Sequence, residues 1–290
     1  MPVQPEAFFL PVDPEGNGQR FCLHYPAVAG TLQGLVLYVH PFAEEMNKSR
    51  RMAALQSRAL ANAGFAVLQI DLLGCGDSSG DFGDATWQAW VNDVVVGAQW
   101  LRKLAPPAGT GQSQPPLWLW GLRAGCLVAA QAARQMNEPC HFLFWQPPSA
   151  GKQLLQQFLR LKVAGDMLGG QSKGVMDALR QELAGGRSVE VAGYMLSPGL
   201  TSGLESADLT PATVSHGRRR VEWLEVSTRE DAALSPASVK TLAQWQESGF
   251  QVASHIAHGP AFWQTTEIED APALIEATVA AICTPISAAA

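Results

Sequence analysis

Short apolar runs alternate with longer stretches of helical spacing along most of this 290-residue chain. That alternation restricts the fold more than any other feature, because it is the pattern of a parallel sheet whose strands are joined by crossover helices. Residues 35–39 form a continuous apolar run between Gly34 and His40-Pro41, as a strand buried on both faces requires. Residues 66–70, 117–120 and 141–145 repeat it. Residues 221–226 alternate, which predicts a strand with one less buried face, and 250–256 predict the last strand. Residues 8–10 and 20–25 predict a leading antiparallel pair. Helices are expected over 49–63, 84–104, 124–136, 235–248 and 271–282, the fourth with Pro236 in its first turn, where a missing N–H costs little. Residues 106–116 are rich in Pro, Gly and Gln and read as a flexible loop.

The alternation breaks between Ser149 and about Pro211. This stretch carries an amphipathic helix with Leu154, Leu155, Phe158, Leu159, Leu161 and Val163, a turn at Gly169-Gly170, and a second helix near 175–183. At roughly 60 residues it is too long for a plain connection. The expected organisation is therefore a core of residues 1–148 and 212–290 with a cap insertion at 149–211.

Composition excludes several classes. With 47% hydrophobic and 16% charged residues the chain is not disordered. A net charge of −6 argues against nucleic acid as a partner. No apolar run reaches the ~18–20 residues that span a bilayer. The start, Met1 to Glu6, lacks a basic region followed by an apolar one, so no secretory signal and a cytoplasmic location are expected. Cys22, Cys75, Cys126, Cys140 and Cys283 are odd in number and without a CxxC pair, which predicts neither disulfides nor a zinc site. With no dinucleotide fingerprint either, no cofactor and no metal are expected.

Two motifs carry the chemistry. Asp71-Leu72-Leu73-Gly74-Cys75-Gly76-Asp77-Ser78-Ser79-Gly80 follows the second buried strand, without the Lys that a phosphate loop needs. Gly121-Leu122-Arg123-Ala124-Gly125 links a buried strand to a helix of small residues, the context of the nucleophile elbow G-x-S-x-G. The two motifs together look like the α/β-hydrolase fold, a mostly parallel central sheet with helices on both faces. Yet the tip residue is Arg123, and a guanidinium is permanently protonated and cannot attack a carbonyl. Cys126 is the nearest nucleophile, one helical turn on, where a buried structural Cys is the alternative.

The remaining positions are read in the same way. Asp231, after the strand at 221–226, is the candidate acid, or else caps the following helix. His258 is the candidate base, although aligning on Phe262-Trp263 puts Ala261 at the histidine position. His40, Pro41 and Phe42 are the expected oxyanion-side loop, with Leu122 and Ala124 flanking the elbow tip. Behind them stand Glu44, Glu45, Lys48, Arg50 and Arg51. They form either a solvated helix start or a set from which Glu44 or Glu45 reaches Arg123 as a bidentate partner. Arg50 and Trp263 are further binding candidates. Trp87 and Trp120 are expected in the core, the alternative being that with Trp263 they offer flat apolar faces to a sugar ring.

The run His40 to Met52, the run Asp71 to Phe82 with Ala85-Thr86-Trp87, the elbow Leu117 to Gly125, and Gly259 to Ile268 together resemble exosortase A system-associated hydrolase 2. The resemblance covers nearly the whole chain, the Gly-Leu-Arg elbow included. It implies an α/β-hydrolase fold and a place in bacterial systems that make exopolysaccharide and sort proteins with a PEP-type tail. Two functions are expected. One is hydrolysis of an ester or acyl group, with His258 and Asp231 activating water and Arg123 stabilising negative charge. The other is a non-catalytic pocket that holds an acidic sugar, carboxylate or phosphate. Either takes a small-molecule, saccharide or acyl ligand.

Overall fold

The structure is a computed structural model. It describes residues 3–12, 18–28, 30, 32–105, 114–136, 138–168, 174–211 and 219–284. Residues 106–113 of the expected loop and the Gly169-Gly170 turn lie outside the described residues.

Eight strands form one sheet: β1 (Glu6–Pro11), β2 (Gln19–Tyr25), β3 (Gly34–Val39), β4 (Phe65–Ile70), β5 (Leu117–Leu122), β6 (His141–Trp145), β9 (Arg219–Ser227) and β10 (Phe250–His258). Their order is β1-β2-β4-β3-β5-β6-β9-β10. β1 and β2 pair antiparallel, β2 meets β4 antiparallel, and every pairing from β4 to β10 is parallel. The apolar runs become strands because each is buried on both faces. Leu35, Leu37 and Val39 enter one core, and Val36 and Tyr38 the other, as period-2 side chains must. The first core is closed by α2 (Trp87–Arg102), α3 (Ala124–Gln135) and α7 (Pro236–Glu247). The second is closed by α1 (Glu44–Asn62) and α8 (Pro272–Cys283). Trp87 and Trp120 are both buried.

Two helix starts differ from the expected ones. α1 begins at Glu44 rather than Ser49, because Glu44 and Glu45 in its first turn favour the helix dipole while hiding the apolar period. α2 begins at Trp87 rather than Asp84. Thr86 caps it by accepting from Ala89 N, and Phe82–Asp84 form a separate 3-10 turn.

The segment between β6 and β9 holds α4 (Gly151–Leu168), α5 (Val175–Ala184), a hairpin of β7 (Val189–Val191) and β8 (Tyr194–Leu196), and α6 (Pro198–Ser206). The hairpin and α6 were not expected: three-residue strands are too short to show a period. α4 packs on α6, and α6 on α2.

A buried ion pair fixes the turn after β4. Arg20 Nε lies 2.8 Å from Asp93 Oδ1, and Asp93 Oδ2 accepts Leu73 N at 2.8 Å. Trp90 Nε1 donates to Leu73 O at 3.0 Å, so α2 holds both backbone polar groups of Leu73.

Candidate functional site

The link from β5 to α3 is a sharp turn with Arg123 at its tip. Arg123 adopts φ 54°, ψ −119°, a left-handed conformation that costs a non-glycine residue about 1–3 kcal/mol. Its neighbours show why the turn needs small residues. A Cβ on Gly125 would stand 2.1 Å from Val39 O, and one on Gly121 would stand 2.5 Å from Cys126 Cα. Arg123 N donates to Trp145 O at 3.0 Å, which pins the turn to β6. Leu122 and Ala124 are buried on either side.

The Arg123 side chain meets α1, α4 and the turn after β10. Its Nε donates to Glu45 Oε1 at 3.2 Å and its Nη2 to the same oxygen at 3.2 Å. Nη2 also donates to Gln157 Oε1 at 3.2 Å, and the guanidinium carbon lies 5.8 Å from the Trp263 ring centre. Nη1 has no hydrogen-bond partner among the described residues. Only 12% of the Arg123 side chain and 14% of Glu45 are exposed, so this pair is well removed from water. Burial pushes the Glu45 carboxyl up, while Arg123 pulls it down. Of the two acids offered for Arg123, the structure brings Glu45 to it.

Around this pair lies a cavity of about 290 Å³, lined by Phe42, Leu154, Phe158, Leu161 and Trp263 on its apolar part. Glu44, Glu45, Lys48, Arg123, Gln157 and Gln264 line the rest. Phe42 packs edge-on against Phe158, with ring centres 5.0 Å apart. Leu154, Phe158 and Leu161 recur on one face of α4, and Gln157 shares it. The sequence showed that face as apolar but gave no sign that Gln157 would contact Arg123.

Other candidates lie elsewhere. Arg50 does not line the cavity; its Nη2 donates to Asp71 Oδ2 at 3.0 Å. His40 is buried and bridges two loops, its Nδ1 2.8 Å from Pro41 O and its Nε2 accepting Leu72 N at 3.2 Å. Nδ1 therefore carries the proton, and burial lowers the imidazole's pKa, so the ring is neutral and structural. Pro41 is buried beside it. Cys126 is fully buried, its Sγ is 3.6 Å from Trp145 O, and burial raises its thiol pKa far above the reactive range. Ser49 is buried and donates to Glu45 O at 2.7 Å.

Asp231 and His258 do not meet. Asp231 sits in the turn after β9 with 79% of its side chain exposed, where Arg229 Nη2 donates to it at 3.1 Å. His258 is the exposed last residue of β10. No hydrogen bond joins the two among the described residues, and neither lines the Arg123 cavity. The dyad expected from the sequence is therefore not assembled: Asp231 pairs at the surface with Arg229, its neighbour two residues away. Among the described residues no helix is long and apolar enough to cross a membrane.

No family model matches the chain. Protein ABHD12B of Homo sapiens is 30% identical over 117 residues, 40% of this chain and 29% of that protein. The uncharacterized protein RP471 of Rickettsia prowazekii is 29% identical over 114 residues, 39% of this chain and 44% of that one. The chain thus matches less than half the length of either relative. Among solved structures, Est1E from Butyrivibrio proteoclasticus with bound ferulic acid superposes with a TM-score of 0.59 at 14% identity, covering 95% of this chain and 96% of that one. A soluble variant of monoglyceride lipase from Saccharomyces cerevisiae gives 0.59 at 14% identity over 98% and 96%. Mouse alpha/beta hydrolase domain-containing protein 10 gives 0.54 at 14% over 96% of each. The chain has the α/β-hydrolase fold.

Proposed function

We propose that this chain is a non-catalytic pocket protein of the α/β-hydrolase fold, which binds a small molecule through a carboxylate, a phosphate or an acidic sugar. In this reading Arg123 fills the position where serine hydrolases carry their nucleophile, and residues 149–211 act as a cap over it. The observation that carries the reading is the Arg123 guanidinium itself. It is held by Glu45 and Gln157 at the cavity wall, with Nη1 left without a protein partner among the described residues. A fixed, desolvated guanidinium with a free N–H is a strong anion receptor. The sequence resemblance to exosortase A system-associated hydrolase 2 supports a role in exopolysaccharide and protein-sorting systems.

The second reading is ester or acyl hydrolysis by activated water. Two observations favour it: the elbow backbone persists at Arg123, and Est1E and monoglyceride lipase share the fold. One pair of assays separates the readings: octanoate titrated by calorimetry, and p-nitrophenyl butyrate turnover, each on wild type, Arg123→Ala and His258→Ala. Octanoate binding that Arg123→Ala abolishes, with no turnover, supports the pocket protein. Turnover that both variants lose overturns it in favour of the hydrolase.

A further inference from the structure

The Arg123 cavity is lined by four charged side chains, and two of them, Arg123 and Glu45, are already paired. The other two are Glu44 and Lys48. They stand four residues apart on α1, a spacing that puts them on one face, where such pairs ordinarily join. No ion pair joins them here. Lys48 Nζ donates instead to the backbone oxygen of Gln264 at 3.4 Å. The Glu44 carboxylate accepts no hydrogen bond from any described residue, and its Oε2 is closed off from solvent. A carboxylate can only accept, so Glu44 calls for a donor that the protein does not provide. Arg123 Nη1 and the remaining Lys48 protons call for an acceptor.

The sign of the charges narrows the ligand. Two acids and two bases leave the lining formally neutral. A plain anion would satisfy the bases while facing an unrelieved Glu44, and a plain amine would face Arg123 and Lys48. A molecule that carries both charges satisfies all four groups. The apolar part, Phe42, Leu154, Phe158 and Leu161, suits a short alkyl chain. At roughly 30 Å³ per water-sized group, the cavity holds about ten non-hydrogen atoms.

Resting on the anion-binding reading of this site, we infer that its ligand is a zwitterionic amphiphile. Its primary ammonium meets Glu44, its anionic group meets Arg123 and Lys48, and an alkyl chain of about six carbons lies along Phe42, Leu154, Phe158 and Leu161.

Three matched probes test this by calorimetry on the full chain at neutral pH and low salt: 2-aminooctanoic acid, octanoate and octylamine. The zwitterion is expected to bind about tenfold tighter than either single-charge probe. Glu44→Gln is expected to weaken the zwitterion about fivefold and to leave octanoate unchanged or tighter. Lys48→Met, a second variant at the cavity wall one helical turn from Glu44, is expected to weaken zwitterion and octanoate alike and spare octylamine. Equal affinity of octanoate and the zwitterion, or a zwitterion indifferent to Glu44→Gln, overturns the inference while leaving the anion-binding reading in place. Binding of none of the three overturns both.

Discussion

Arg123 Nη2 lies 3.2 Å from Glu45 Oε1, which ties the tip of the turn after β5 to the first turn of α1. The two residues are 78 positions apart in sequence, and both side chains are mostly buried. Arg123 holds a strained backbone as well as a desolvated charge. Such a position persists only where surrounding contacts over-determine it. Glu45 and Gln157 do so for the side chain, and Trp145 O does so for the backbone.

Replacing Glu45 by Gln separates the two consequences of this pairing. The variant keeps the shape of the side chain and leaves Arg123 an unneutralised cation. Because a little water reaches the pair, the expected cost is about 1–3 kcal/mol, less than for a fully buried pair. The freed guanidinium should bind octanoate more tightly than wild type does. Urea denaturation and calorimetry on the same sample check both signs. Lost stability with weaker octanoate binding would mean that Glu45 shapes the cavity rather than competes for Arg123.

The elbow glycines give a prediction that does not depend on function. Gly125→Ala puts a Cβ 2.1 Å from Val39 O, a backbone atom of the central strand that cannot swing away. The expected loss is about 3 kcal/mol or more, at the upper end of overpacking costs. Gly30 is the control: its Cβ would meet no atom within 4 Å, so Gly30→Ala should stay within about 0.5 kcal/mol of wild type. Chemical denaturation of both variants decides it, and similar costs at the two sites would refute the tight-turn account.

How much of this was legible follows from the range of each interaction. The strands around the elbow were visible because residues such as Val36 and Leu37 are both apolar within a short run bounded by Gly34 and His40-Pro41, as a strand buried on two faces requires. The turn was visible because Gly121 and Gly125 flank Arg123 at fixed local spacing. The choice between Glu44 and Glu45 was not visible. Adjacent helix residues point about 100° apart, and only the start of α1 at Glu44 sets which one faces the elbow. Gln157 was hidden for a related reason: its contact with Arg123 depends on how α4 lies across the cavity, which no local pattern encodes. Asp231 sat at a plausible position in sequence, yet Arg229 two residues away offered it a nearer partner than His258.

The last prediction concerns His141, away from the cavity. Its ring stacks on Trp118 with centres 4.7 Å apart, and its Nδ1 accepts Arg220 N at 3.1 Å. Burial, followed by the nearby Arg220 and Arg219 charges, pushes its pKa down to about 4. In the unfolded chain the same imidazole titrates near 6.5. Between these values the unfolded state binds a proton that the folded state refuses, so stability rises with pH through this window. The contribution is fully present above about 6.5 and is lost as pH falls toward about 4. Buried carboxyls such as Glu45 and Asp93, which burial pushes up, tilt the profile the other way in part of the same range, so the difference from a variant is the clean quantity. His141→Phe keeps the stacking, removes the titration, and costs about 1–3 kcal/mol at pH 7.5 by leaving Arg220 N–H unpaired. Between pH 7.5 and pH 5 the wild type should lose about 2 kcal/mol more than the variant in urea denaturation. Parallel pH profiles for the two proteins would show that His141 takes up a proton in the folded state as readily as in the unfolded one.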